Sequence, residues 1–175
     1  MKKIFLFLFL LTGCMDAPKN VFQTNTHTEI FLNVSDVKTV SMISPFDGLP
    51  HIENKMAVSP EEAVIQWTRQ YLKNKGNTKK IVVIIHKADM LLEKQKNSNW
   101  FKTDEEKYTL IYQLEIQLRE AEKVIKKSLM EGKGFTTLAQ KSSLATKEKN
   151  WNWLIQKMLI HLETKIKTDF KNEII

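Results

Sequence analysis

Tyr108-Thr109-Leu110-Ile111-Tyr112-Gln113-Leu114-Glu115-Ile116-Gln117-Leu118 decides the fold. Every second residue in it, from Tyr108 to Leu118, is large and apolar, and most of the residues between them are polar. A two-residue period places that whole row on one face of an extended chain. A helix would spread it round the full circumference, although the flanking charges are good helix formers. The stretch therefore predicts a long strand over residues 106–120, one face buried and the other wet, as in an antiparallel sheet.

The neighbouring segments fit the same sheet. Ile81-Val82-Val83-Ile84-Ile85 is an uninterrupted β-branched run and predicts a well-buried strand over residues 80–92. Polar residues 95–98 form the turn between the two. Upstream, Ile30, Leu32 and Val34 alternate with Phe31, Asn33 and Ser35, predicting a first strand over residues 29–40. Downstream, residues 124–130 carry a weaker fourth strand, which Gly132 and Gly134 end.

Two segments read as helices. Ser59 is an N-cap with Pro60 at the first helical position and Glu62 three residues on, a capping box. Ala63, Val64, Trp67 and Tyr71 follow at helical spacing. Trp151, Leu154, Ile155, Met158, Leu162, Ile166 and Phe170 form the apolar stripe of a last helix over residues 146–171. Trp153 falls off that stripe. The order is β-α-β-β-β-α, which predicts an α+β two-layer sandwich: an antiparallel sheet of about four strands with two helices on one face.

The amino terminus has a different character. Lys2 and Lys3 precede an apolar run from Ile4 to Leu11, and the chain's only cysteine closes the sequence Leu11-Thr12-Gly13-Cys14. A charged start, a short apolar middle and small residues before a cut are the parts of an export signal. The run is 8 residues, about 12 Å as a helix, far short of the roughly 30 Å hydrocarbon core. Leu11-Thr12-Gly13-Cys14 resembles the lipobox of bacterial lipoproteins. The resemblance implies cleavage between Gly13 and Cys14, lipid attached to Cys14, and attachment to a membrane through the acyl chains at its periplasmic face. Met15 rather than an aspartate follows the cysteine, which in such lipoproteins implies the outer membrane over the inner. An ordinary secretory signal and an uncleaved terminus are the alternatives. Residues 1–13 are then a signal peptide, 14–28 a lipidated polar tether, and 29–175 a single domain.

Composition suits such a domain. Of 175 residues, 42% are hydrophobic and 27% charged. Without Lys2 and Lys3, 25 basic residues face 20 acidic ones, a net charge of +5. The excess is almost all lysine, in no dense block. It reads either as a solvated surface or as attraction to anionic lipid head groups. Nucleic acid is not an expected partner of a membrane-tethered exported protein.

The chemical inventory is short. His27, His51, His86 and His161 show no metal-ligand spacing, and no metal is expected from it. There is no nucleophile elbow and no phosphate loop. Glu61 and Glu62 serve the capped helix start. No catalytic residue, cofactor or enzymatic activity is expected. The least ordinary segment is Ser44-Pro45-Phe46-Asp47-Gly48-Leu49-Pro50-His51-Ile52-Glu53. Phe46, Leu49 and Ile52 in it are candidate partner-binding residues, for an envelope protein. The competing reading is a rigid connector that seals a sheet edge.

The stretch from Leu49 to Ala63, running into Trp67, also resembles a group of small, functionally unassigned lipoproteins of alphaproteobacteria. Lys87-Ala88-Asp89 and the Trp151 helix extend the likeness. The strand and helix order is similar to that of the lipopolysaccharide-assembly lipoprotein and of auxiliary lipoproteins of lipid-exporting ABC systems. Those resemblances imply an accessory role in the cell envelope, with lipid or lipopolysaccharide binding as the alternative, and imply no binding residue.

Overall fold

The computed structural model describes residues 27–44, 48–96 and 103–175. Gly13, Cys14 and Phe46 lie outside the described residues. The elements are β1 (Ile30–Leu32), β2 (Asp36–Ser41), α1 (Pro60–Tyr71), β3 (Leu72–Asn74), β4 (Lys79–Gln95), β5 (Glu105–Glu120), β6 (Lys123–Ala139) and α2 (Leu144–Asp169). Four strands form the main sheet in the order β2-β4-β5-β6, and β1 pairs with β3 beside it. Both helices pack on one face of the sheet. The architecture is the expected α+β two-layer sandwich.

The β5 row does what its period predicts. Tyr108, Leu110, Leu114, Ile116 and Leu118 are all 3% exposed or less, under the helices. Trp67 of α1 and Ile155, Met158, Leu159, Leu162 and Ile166 of α2 meet that face, each 0% exposed. Ser59 caps α1 as its spacing implies, accepting a hydrogen bond from the Glu62 amide at 3.1 Å. Trp151 is buried at 4% and Trp153 stands out at 52%.

Several details differ from the expectation. The predicted first strand is two: Asn33, Val34 and Ser35 break it, β1 joining β3 and β2 joining the main sheet. β2 runs parallel to β4, so the sheet is mixed. The connection between them carries α1, and only such a crossover lets consecutive strands of one sheet run the same way. β6 does not end at its glycines but runs through both to Ala139. A Cβ on Gly132 would lie 2.3 Å from the Tyr112 hydroxyl oxygen, so the tyrosine ring occupies the space that a side chain would take. His27, placed in the tether by its sequence position, is 9% exposed. Its Nδ1 lies 2.6 Å from the Glu163 carboxylate and its Nε2 lies 2.9 Å from Gln156 Oε1. Its ring packs edge-on to Trp67 at 5.9 Å. The folded unit therefore begins at least two residues before the expected boundary.

β4 also changes face. Ile81, Val83 and Ile85 point to the helices, then Ala88 and Met90 do. The register slips between Ile85 and Lys87 opposite β5, so His86 is an extra, bulged residue. The β5–β6 turn has Ala121 at φ 49, the left-handed region that two-residue hairpins demand.

Gly76 permits a close approach of two backbone segments: a Cβ there would sit 2.4 Å from the Asn33 carbonyl carbon. That neighbour is backbone and cannot rotate away. Gly76→Ala is expected to destabilise the domain by about 1–3 kcal/mol, read as a lower urea midpoint with the slope unchanged.

Candidate functional site

A mismatch in length sets the site. β4 has 17 residues, roughly 56 Å of strand. α1 has 12, about 18 Å of helix. It covers the part of β4 near Val83, and beyond the His86 bulge something else must cover the sheet. The segment from Gly48 to Lys55 does so. Gly48, at φ 93, makes the turn that only glycine adopts without strain. His51 then bridges to Leu91, with the Ile52 amide donating to Met90 O at 3.1 Å and the Leu92 amide to Pro50 O at 2.8 Å. The loop thus continues the sheet edge where β2 stops.

A pocket of about 280 Å³ opens between this loop, the ends of β4 and β5, and the start of α2. Leu49, Ile52, Leu92, Leu144 and Trp151 supply its apolar lining, with Lys55, Lys94, Lys147, Glu106 and Tyr108 supplying the polar groups. Ser143 caps α2, accepting from the Thr146 amide at 3.2 Å. That start places Leu144, Lys147 and Trp151 at three- and four-residue spacing on one face, toward the pocket. Leu49 is 63% exposed and Leu144 60%, so two leucines stand in water at its rim. Tyr108 and Trp151 meet edge-on, 5.3 Å apart.

The polar groups are mostly occupied with one another. Lys147 Nζ lies 2.6 Å from the Glu106 carboxylate, and the Tyr108 hydroxyl donates to the same oxygen. Burial alone would push the Glu106 carboxyl up. Hydrogen bonds from Lys147 and Tyr108, with the charges of Lys147 and Lys94, outweigh it and hold the group below its ordinary value. Burial and the adjacent carboxylate push the Tyr108 phenol up. The Trp151 indole N–H is buried without a hydrogen-bond partner among the described residues.

Of the residues singled out in the sequence, Leu49 and Ile52 are brought to this one pocket, Leu49 at the rim and Ile52 closed in at 1% exposure. Lys94, Glu106, Leu144, Lys147 and Trp151 escaped sequence reading as site residues, because they come from three elements that only the fold assembles. The register pairing Lys94 with Glu106 is what joins two of them. His51, Glu53 and Asp89 also converge, their ligand atoms within 4.8 Å of one another. His86 reaches Glu115 at 3.3 Å and His161 reaches the Tyr112 hydroxyl at 2.9 Å. Among the described residues, no helix is long and apolar enough to cross a membrane.

No protein-family model and no curated protein matches the chain. Among solved structures it is similar to a minor lipoprotein from Acinetobacter baumannii, at 9% identity and a TM-score of 0.40, covering 82% of this chain and 96% of that one. It is similar to the uncharacterized lipoprotein B of Nitrosomonas europaea, at 13% identity and a TM-score of 0.42, covering 84% and 92%. It is also similar to the rare lipoprotein B of Shewanella oneidensis, at 12% identity and a TM-score of 0.35, covering 75% and 89%. At these identities and TM-scores the likeness carries no functional argument.

Because its folded pKa is depressed, ionised Glu106 stabilises the domain at neutral pH, and that share is lost as pH falls below the ordinary value of 4.5. Lys147→Met removes the first of the groups that oppose burial. The Glu106 pKa is then expected to rise toward its ordinary value, so that less stability is lost on acidification below pH 4.5 than in the wild type. Carbon-13 titration of the Glu106 carboxyl and acid unfolding of the variant check the two parts.

Proposed function

We propose that this protein is a bacterial lipoprotein, held by lipid on Cys14 at the periplasmic face of a membrane, the outer rather than the inner. There it serves without catalysis as an accessory subunit of an envelope complex. The lipobox sequence and the short apolar run before it support the anchor. The pocket supports the role and is the observation that carries it. Its rim offers Leu49 and Leu144 to water, and its floor is apolar. Its one carboxylate is neutralised by Lys147 and bonded to Tyr108. An acid or base catalyst needs a group left available to the substrate. Here the charged pair stabilises the wall, and the exposed leucines are suited to receiving an apolar side chain.

A second reading is an anionic amphiphile, a lipid or lipopolysaccharide. Lys55, Lys94 and Lys147 beside the apolar lining favour it. Size favours the first. At about 280 Å³, the pocket falls just under the roughly 300–1,000 Å³ of sites that enclose a drug-sized ligand. It admits one or two side chains or a single acyl segment, and a many-chained lipid does not fit within it.

A photo-crosslinking residue at Leu49 or Leu144, introduced in cells with native membranes, tests the reading. Adducts to one defined envelope protein are expected from both positions, and none from the exposed Glu120. Adducts to lipid alone would replace the protein-docking reading with the amphiphile one, and no adduct from either position would remove both.

A further inference from the structure

His51, Glu53 and Asp89 stand on the outer side of the loop that seals β4. Each is half-buried, with side-chain exposure of 16% and 21% for the first two and 15% for Asp89. One imidazole nitrogen and two carboxylate oxygens all lie within 4.8 Å of one another. Two of these side chains are already positioned. Glu53 Oε1 accepts from the Met90 amide at 2.6 Å, and His51 Nδ1 lies 3.3 Å from the same oxygen. The carboxylate carries a second oxygen. His51 itself is fixed by its backbone bridge to Leu91, two residues along from Asp89. The loop and the strand are thus locked in register by main-chain bonds independent of the three side chains, which is how donors are preorganised for a ligand. Lys87, whose Nζ lies 3.3 Å from Asp89, supplies the local positive charge. It is a half-exposed partner, and such surface pairs are weak and readily exchanged.

We propose that His51, Glu53 and Asp89 form a binding site for a divalent transition-metal cation of the zinc type. One imidazole with two carboxylates is a set that such ions accept, whereas calcium and magnesium prefer oxygen alone. Ligand atoms around tetrahedral zinc stand roughly 3.3–3.6 Å apart, so closing the present triangle takes a side-chain movement of about an ångström. Water completes the coordination. The consequence is mechanical: the ion bolts the Gly48–Lys55 loop, and with it the Leu49 rim of the pocket, to β4. The site stands whether or not the pocket docks a protein.

Calorimetric titration of zinc chloride into the full chain in detergent tests it. One zinc per chain is expected at this site, with a rise in the thermal midpoint. His51→Gln and Asp89→Asn should each weaken binding by at least about tenfold and abolish the thermal shift. His161→Gln, on α2 and outside the three-residue cluster, should change neither. Calcium and magnesium should give no thermal shift at equal concentration. Far-UV circular dichroism confirms that each variant is folded. If both variants bind zinc as tightly as the wild type, the ion sits elsewhere and the assignment is overturned. It is equally overturned if the wild type shows no saturable uptake.

Discussion

Water is kept from one side of β5, and the rest of the structure is arranged around that exclusion. Tyr108, Leu110, Leu114, Ile116 and Leu118 project into a layer made by Trp67 and the stripe of α2. Burying one such side chain contributes about 1.5–3 kcal/mol, an upper estimate because unfolded chains already hide some surface. Set against a net stability of about 5–15 kcal/mol for a domain, a few of these side chains match the whole margin. The helices are therefore held by the sheet, and what they leave uncovered is decided by how far they reach along it.

That reach explains the pocket. α1 ends its cover of β4 near the bulge, and α2 begins only at Leu144. The interval is roofed by a loop, which joins the sheet edge through main-chain bonds and contributes Ile52 to the core. A roof of loop leaves more space than a helix, and the space is lined by the ends of elements rather than by their middles. Charged side chains belong at such ends. This is why Glu106 and Lys147 meet there, and why they must neutralise each other.

How much of this was legible depended on the range of the interactions. The β5 row, the Ser59 cap and the α2 stripe are local patterns, and each forms the element its spacing announces. The parallel pairing of β2 with β4 is a property of a long connection, and no window of sequence contains it. Gly132 and Gly134 look like the end of a strand because glycine lowers strand preference; Tyr112, from the neighbouring strand, supplies what Gly132 lacks. His86 looks like one more residue of a β-branched run, yet it shifts the face of everything after it. The pocket residues come from two strands, a loop and a helix start, so only Leu49 and Ile52, which lie in an unusual local segment, drew notice. His51 and Glu53 share that segment, but Asp89 reaches them only through the sheet register.

His27 gives the anchored reading a dimension. Its ring is wedged against Trp67 and tied to Glu163, whose own carboxyl, despite burial, is held below its ordinary value by Lys167 and His27. From Cys14 to that wedge is 13 residue steps, which span at most roughly 45 Å. A tug from the bilayer would arrive in the cleft between α1 and α2, at side chains gripping one another, and not at the end of a strand where hydrogen bonds unzip one by one.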